Sequence, residues 1–232
     1  PTCLSIVHRR ADARVLCEHL DAISGEDSAV HLSALMTPAH RTVVLGRVKE
    51  RLRQGRSVRC VATQLIEAGV DIDFPVVFRA LAGVDALAQA AGRCNREGRL
   101  DGLGQLFIFA ADTEPPPGVL RTALSVTRAM RSAALAVGQD LYLFSPRTHL
   151  AYFRGLYSNV AMTGGNDIQE LRAELKFAEV AKAFHVIDAD MVPVVVALRD
   201  RGEPLSDDRV PGNVTECRAV DDISRNGVSR SR

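Results

Sequence analysis

The chain has 232 residues, of which 47% are hydrophobic and 25% are charged. This balance is typical of a globular protein and provides enough apolar side chains for a sizeable core. The formal net charge is only +1, so overall basicity does not indicate a nucleic-acid partner. Any nucleic-acid binding would have to use a local basic patch or backbone amides.

The cysteines favour a reducing compartment. Their number is odd, no C-x-x-C pair occurs, and they are scattered through the chain at Cys3, Cys17, Cys60, Cys94 and Cys217. We therefore expect neither a disulfide framework nor a metal site, and a cytoplasmic location. No signal peptide and no membrane-length apolar run is visible, so no membrane partner is expected. Because the first residue is Pro1, we expect the chain to begin inside a longer protein.

The first half of the chain alternates between short apolar strands and helices. Strands are predicted at residues 2–7, 29–35, 58–63, 76–78 and 105–109, and helices at 10–23, 38–54 and 85–94. The first helix is expected to bury Val15, Leu16, Leu20 and Ile23, and the second Val44, Leu45, Val48 and Leu52. Thr37 is the predicted N-cap of the second helix, with Pro38 in its first turn and Gly55 at its end.

This alternation predicts an α/β fold, because continuous apolar strands separated by helices form a parallel sheet covered on both faces. The predicted lobe covers residues 1–113. A proline-rich linker follows at 114–118, then a mainly helical extension at 119–198. The extension should contain helices at 119–137, 146–157 and 167–184, the last one broken near Lys176, and a strand at 191–196. Residues 199–232 lack apolar periodicity and are predicted to be disordered.

One stretch of the lobe has the pattern Q-x-x-G-R-x-x-R, formed by Gln89, Gly92, Arg93 and Arg96. If the helix continues through it, the two arginines share a face with Gln89 one turn away. Two guanidinium groups and an amide on one patch suit the oxygens of a phosphoryl group. The alternative is a solvated cationic helix face that includes Arg99. A glycine inside a helix is unfavourable by about 1 kcal/mol, which makes that alternative less attractive.

A second stretch, residues 61–75, follows the third strand. Thr63 closes that strand and offers a hydroxyl and an amide to a nucleic-acid phosphate. Gly69 lets backbone approach a phosphate or sugar, and Asp71 could accept from a ribose hydroxyl or hold an arginine. Since both motifs follow strands, we expect them at the carboxyl ends of the parallel sheet, where ligands bind.

These two stretches resemble motifs V and VI of superfamily 2 helicases. The Glu67-Ala68 pair before Gly69 and the Cys94-Asn95-Arg96 ending make them most similar to the CRISPR-associated helicase–nuclease of type I systems. Segments at residues 5–20, 31–41 and 177–188 are also similar to that family. The resemblance covers residues 2–196 and implies a RecA-like C-terminal motor lobe followed by the start of an accessory region.

The resemblance implies a role for each motif residue. Arg93, Arg96 and Gln89 would be the catalytic residues, with Arg93 nearest to an arginine finger on the ATP γ-phosphate. Gly69, Asp71 and Gly92 would lie at the nucleotide, and Thr63, Gln64, His8 and Arg9 would contact nucleic acid. The implied function is an ATP hydrolase and 3′-to-5′ single-stranded DNA translocase of antiviral defence. Its partners would be the CRISPR surveillance complex, a first helicase lobe and a nuclease domain, in cis or as a separate chain.

The sequence also departs from a complete motor. No lysine follows a glycine, so there is no P-loop, and neither an Asp-Glu nor a His-Asp dipeptide occurs. ATP and Mg²⁺ would therefore be held mainly by a first lobe, and this chain alone is predicted not to hydrolyse ATP. Two alternatives stay open: a generic superfamily 2 DNA or RNA helicase lobe, and a truncated, non-catalytic nucleic-acid-binding fragment.

Overall fold

A computed structural model describes residues 2–24, 29–34, 36–67, 70–163, 168–183, 199–200 and 203–204. The strands of its main sheet are β1 (Cys3–Ile6), β2 (Ala29–Leu32), β3 (Arg59–Ala62), β4 (Val76–Ala80) and β5 (Gln105–Phe109). The helices are α1 (Arg10–Ser24), α2 (Pro38–Arg53), α3 (Val84–Ala91), α4 (Val119–Ala136), α5 (Pro146–Thr163), α6 (Ile168–Ala173) and α7 (Phe177–Ala183). A 3₁₀ turn, Gln64–Glu67, follows β3.

The five strands form one sheet in the order β2-β3-β1-β4-β5, and every neighbouring pair is parallel. The predicted parallel α/β sheet is therefore confirmed, with strand ends that differ from the prediction by at most three residues. The sheet is parallel because a helix or long loop returns the chain to its starting edge between strands. That connection leaves the carboxyl ends of β1, β2 and β3 on one edge.

Helices cover both faces of the sheet. One core contains β1, β3 and β4 residues packed with Val44 and Val48 of α2 and Ala90 of α3. The other lies under α1, where Ala13 and Cys17 are buried and Leu16 and Leu20 are partly buried. Val15 and Ile23 are instead exposed, so their predicted burial is wrong. Because Ala13 and Cys17 are small, α1 can pack closely on the sheet with the side that carries them. Val15 lies on another side of the helix and therefore faces outward.

The start of α2 forms as its sequence predicts. The Thr37 hydroxyl accepts a hydrogen bond from the N–H of His40, and Pro38 occupies the first turn. Gly55, just beyond the helix, has φ +67°, a left-handed conformation that glycine adopts without steric strain. These local signals fix where the connection between β2 and β3 turns back toward the sheet.

The helical extension packs on α3 of the lobe. Val84 of α3, Ala123 of α4, and Tyr152 and Leu156 of α5 form a separate buried cluster. Not every apolar side chain of α4 and α5 joins this packing: Leu124 and Leu156 are buried, whereas Leu120, Leu135, Leu150 and Tyr157 are exposed. The predicted break near Lys176 is confirmed: Leu175 has φ +57° between α6 and α7.

Some predictions fall on residues outside the described ranges. These are Gly69, the strand at 191–196 and most of the tail. Within the tail, Arg199–Asp200 and Glu203–Pro204 form a two-residue antiparallel pair, where the sequence predicted no regular structure. The boundaries at 113, 118 and 198 stay predictions.

Candidate functional site

A backbone bridge joins the end of the Q-x-x-G-R-x-x-R motif to the segment that leads into β4. Phe74 and Cys94 form an isolated parallel bridge, in which the N–H of Phe74 donates to the carbonyl of Arg93 at 2.9 Å. The N–H of Asn95 donates to the carbonyl of Phe74 at 3.0 Å. Phe74 precedes β4, so the motif ends beside the amino end of that strand. The prediction that both motifs lie at the carboxyl edge is therefore wrong for the end of the second motif, residues 93–95.

The carboxylate of Asp73 reinforces that bridge. It accepts hydrogen bonds from the backbone N–H groups of Arg96, at 2.8 Å, and Glu97, at 3.2 Å. Asn95, which precedes them, has φ +48°, and its side-chain amide donates to the carbonyl of Gly102 at 2.8 Å. Asparagine tolerates the left-handed conformation better than most residues. The two arginines of the motif thus project from a turn held by several hydrogen bonds.

The motif arginines do not share a helix face. Helix α3 ends at Ala91, and Gly92 is its C-cap with φ −65°, so the predicted helix through residue 94 is wrong. Arg96 pairs with Asp71 at 2.7 Å, and both side chains are substantially exposed. Asp71 was expected to accept from a ribose hydroxyl or to hold an arginine, and in this structure it holds Arg96. Because the helix ends at Ala91, Arg93 and Arg96 lie on the turn that follows it and not on one helical face.

Arg93 is anchored differently from Arg96. Its Nη2 donates to the backbone carbonyl of Glu67 at 2.8 Å, at the end of the 3₁₀ turn. Among the described residues no carboxylate forms an ion pair with it, whereas Arg96 has one. Partial burial and the nearby charge of Arg96 lower the pKa of Arg93 from its usual value. A guanidinium that is oriented but not neutralised is suited to an incoming anion.

A buried ion pair that the sequence analysis missed lies behind Arg93. Arg79 of β4 is 2% exposed, and its Nη2 is 2.7 Å from a carboxylate oxygen of Glu67. A second N–H of Arg79 donates to the carbonyl of Ala80 at 3.1 Å. Burial raises the pKa of Glu67, although the Arg79 charge opposes that shift. An arginine inside the apolar run VVFRALA was the available signal, because a buried charge requires a partner.

This pair lines a small cavity of about 90 Å³ together with Gln89, His8 and Gln64. Gln89 is an exposed residue of α3, so its amide lies at the mouth of the cavity. The structure thus brings Gln89 to the residue that anchors Arg93, namely Glu67. Arg93 and Gln89, two of the three catalytic candidates, therefore both lie beside the 3₁₀ turn that ends at Glu67.

Tyr152 connects the helical extension to this region. Its hydroxyl donates to the carboxylate of Asp85 at 2.5 Å, and the residue is completely buried. Burial, followed by the neighbouring carboxylate, raises the pKa of Tyr152 far above its usual value. Gly83 makes room for this contact, since a Cβ at that position would collide with the Tyr152 hydroxyl and the Asp85 carboxylate. No local pattern signals this pairing, which spans 67 residues.

The four predicted nucleic-acid residues line one open cleft. His8, Arg9, Thr63 and Gln64 border it together with Arg10 and Leu65, and its volume is about 560 Å³. It lies where β1, β2 and β3 end, the predicted edge of the sheet. The N–H of Thr63 already donates to the carbonyl of Leu32 at 3.2 Å, so one of its two expected donors to a phosphate is already used. Arg9 donates from Nε to the carbonyl of Glu114 at 2.7 Å, which orients its guanidinium.

His8, like Thr63, is a buried member of the cleft lining, with 7% of its surface exposed. Its pKa is lowered, first by burial and then by the charge of Arg79. A neutral, largely buried imidazole offers one hydrogen-bonding edge rather than a charge. The positive charge of the cleft therefore comes from Arg9 and Arg10.

The described residues form neither of two other types of site. In the part of the chain that the structure describes, no three His, Cys, Asp or Glu side chains come together as metal ligands. None of the described helices combines the length and hydropathy needed to cross a membrane.

The fold and the site together define a class. A five-stranded parallel sheet with helices on both faces, followed by helices, matches the fold of the RecA-like C-terminal lobes of helicases. Residues 2–99 match the model of a family described as CRISPR-associated nuclease/helicase Cas3, C-terminal. The resemblance inferred from the motifs is confirmed, and this lobe is similar to the C-terminal helicase region of Cas3.

Two curated proteins described as CRISPR-associated nuclease/helicase Cas3 are similar to parts of the chain. The protein of Haloferax volcanii is 46% identical over 61 residues, which are 25% of this chain and 6% of that protein. The protein of Methanothermobacter thermautotrophicus is 31% identical over 90 residues, 37% of this chain and 11% of that protein. The chain therefore matches only a small part of the length of either relative.

Solved structures support the fold. T. fusca Cas3-ATP aligns with a TM-score of 0.50 at 20% identity, covering 78% of this chain and 22% of that chain. A chain of a CRISPR RNA-guided surveillance complex in its pre-nicking state aligns with a TM-score of 0.50 at 18% identity, covering 78% and 24%. At such identities the likeness shows a shared fold alone.

Proposed function

We propose that this chain is the second motor lobe of an ATP-dependent, 3′-to-5′ single-stranded DNA translocase of CRISPR interference. The observation that carries the proposal is the state of Arg93, whose guanidinium is anchored by the carbonyl of Glu67 and lacks an ion-pair partner among the described residues. Such a group can meet the ATP γ-phosphate across a cleft between two lobes. The family match of residues 2–99 supports the choice of motor.

In this proposal Arg93 acts as the arginine finger. Its charge stabilises the negative charge that develops on the transferring phosphoryl group, an effect worth about 10³ to 10⁵ in rate. Gln89 supports the contact between Arg93 and the phosphoryl group from the mouth of the cavity. Arg96, whose exposed side chain pairs with Asp71, is the third catalytic residue of the proposal. Gly69 and Gly92 lie at the nucleotide, where a missing side chain lets the phosphates approach.

The first lobe would hold most of the nucleotide and its metal. The chain has neither a P-loop nor an Asp-Glu pair, and its described residues bring no metal-ligand group together. ATP and Mg²⁺ therefore bind chiefly to that partner lobe, and Arg93 completes the site when the lobes close. In the cytoplasm, the partners of the assembled motor are a nuclease domain and the CRISPR surveillance complex. The match of residues 2–99 to the C-terminal family of Cas3 supports that choice of partner.

The open cleft would hold the single strand. Arg9 and Arg10 supply charge for backbone phosphates, the Thr63 hydroxyl supplies a hydrogen bond, and Gln64 and His8 complete the wall. Cleft closure and opening during the ATP cycle would then alternate the grip on the strand between lobes.

The proposal is tested with the purified chain and a first lobe added separately. The chain alone should show no DNA-stimulated ATP hydrolysis, and hydrolysis should begin when a lobe carrying a P-loop is added. Fluorescence anisotropy of a labelled single strand should show that Arg9→Ala weakens binding and lowers the salt dependence by about 0.7 in log–log slope. Arg53→Ala, an exposed position on α2, is the matched control.

Turnover by the chain alone would contradict the assignment as half of a motor. Binding of DNA without any turnover on addition of the first lobe would favour a non-catalytic nucleic-acid-binding fragment instead.

A further inference from the structure

We propose that the buried Arg79–Glu67 ion pair is a positioning device for Arg93. The inference rests on the proposed function, and it adds two residues to the site. Arg79 lies on β4, Glu67 ends the 3₁₀ turn, and Arg93 follows α3. Three separate segments of the lobe therefore meet at one residue, Glu67.

The contacts form a continuous chain. Arg79 holds the Glu67 carboxylate at 2.7 Å, and the backbone carbonyl of that same Glu67 accepts from Arg93 Nη2 at 2.8 Å. Arg79 itself is fixed because its strand lies between β1 and β5 in the sheet, with only 2% of the side chain exposed. A displacement of Glu67 would thus move the acceptor on which the Arg93 guanidinium rests.

Stability alone is a weak explanation for this pair. Buried ion pairs can often be replaced by apolar side chains of similar volume without loss of stability, because desolvation offsets the attraction between the charges. A role in orienting a neighbouring group accounts better for two charges that are both removed from solvent. The Glu67 side chain is 9% exposed, so solvent does not substitute for Arg79 as its partner.

The charged groups near the pair agree with that role. Burial has the largest effect on both members, since it raises the pKa of Glu67 and lowers the pKa of Arg79. Each charge opposes the shift of the other, Asp85 raises the pKa of both groups, and Arg93 has a smaller effect on Glu67 than either Arg79 or Asp85. Arg79 is thus the cation that neutralises Glu67 directly, and Arg93 keeps its own charge for a ligand.

The first experiment measures the orientation of Arg93 in the 232-residue chain without ATP. Solvent exchange of the Arg93 Nη protons is followed by nitrogen-edited NMR, with Arg93→Lys used for assignment. Glu67→Gln and Arg79→Lys should each speed this exchange about tenfold, the order expected for loss of one hydrogen bond. Glu50→Gln is the matched control, since its pair with Arg53 has the same 2.7 Å distance but is exposed.

A double variant keeps the test decisive if a single variant does not fold. Glu67→Leu with Arg79→Met replaces the pair by apolar groups and is expected to fold. Faster Arg93 exchange in this folded variant supports positioning by the ion pair. Unchanged exchange would overturn it, because packing alone would then hold Arg93.

The second experiment measures turnover in the assembled motor. Arg79→Lys should lower kcat about ten- to a hundredfold with the KM for ATP unchanged, as expected for a displaced catalytic group. In an Arg93→Ala background, Arg79→Lys should have no further effect. Additive losses would overturn the positioning role. If Arg93→Ala alone leaves turnover intact, the proposed function fails, and the NMR experiment still decides the positioning claim.

Discussion

Removal of the Tyr152 hydroxyl should loosen the helical extension from the lobe. The hydroxyl donates to the Asp85 carboxylate at 2.5 Å from a completely buried ring. A hydrogen bond to a charged group contributes about 1.5–3 kcal/mol, so Tyr152→Phe should lower the free energy of unfolding by about 2 kcal/mol. The ring packing against Val84 and Ala123 is retained, which confines the change to the hydroxyl.

Gly83→Ala should disturb the same contact from the other side. Its Cβ would collide with the Tyr152 hydroxyl and lie 3.0 Å from the Cβ of Ala123. Overpacking of this kind costs about 1–3 kcal/mol. In the double variant Gly83→Ala/Tyr152→Phe the loss should be smaller than the sum, because the oxygen that the new Cβ meets is gone.

The assay is urea unfolding at about pH 7, followed by circular dichroism. Tyr157→Phe is the matched control, since Tyr157 lies on the same helix but is 65% exposed. That control should change the free energy of unfolding by less than about 0.5 kcal/mol. A Tyr152→Phe variant as stable as wild type, or strictly additive losses in the double variant, would refute the reasoning.

Two further predictions concern the turn and the pH dependence of stability. Asp73→Ala should lower the free energy of unfolding by about 1–3 kcal/mol in the same assay, because two backbone N–H groups lose their acceptor, whereas Asp101→Ala at an exposed site should not. Burial lowers the pKa values of His8, His31 and His40, so at acidic pH the native state binds fewer protons than the unfolded state. The free energy of unfolding should therefore fall as the pH drops below about 6.5, by up to about 1.4 kcal/mol per pH unit for each histidine. A urea midpoint that stays flat from about pH 7.5 to about pH 5.5 would contradict the histidine argument.

The sheet was predictable because its information is local. Each strand is a short apolar run bounded by turn residues, and β5 was placed at its observed bounds from the run QLFIF. Thr37, Pro38 and Gly55 fixed the ends of α2 for the same reason. Helix α1 shows the limit of that approach, since the burial of Ala13 and Cys17 instead of Val15 depends on how closely the helix approaches the sheet.

The sequence indicated candidate residues for the site, whose roles stay predictions, but it did not predict their geometry. The motifs identified Arg93 and Arg96, yet the end of α3 at Ala91 changes what each arginine can reach. The Phe74–Cys94 bridge joins positions that are far apart in sequence, and no local pattern encodes it. Arg79 and Tyr152 were missed because their partners are distant in sequence and the value of each contact depends on burial.

The central claim is that this lobe supplies an arginine to an ATP site shared with a first lobe. DNA-stimulated ATP hydrolysis in the assembled motor tests that claim most directly. Arg93→Ala should lower kcat about 10³-fold or more while single-stranded DNA binding stays at the wild-type level. Arg53→Ala, exposed on α2, should hydrolyse ATP normally. Wild-type turnover by the Arg93→Ala motor would contradict the account.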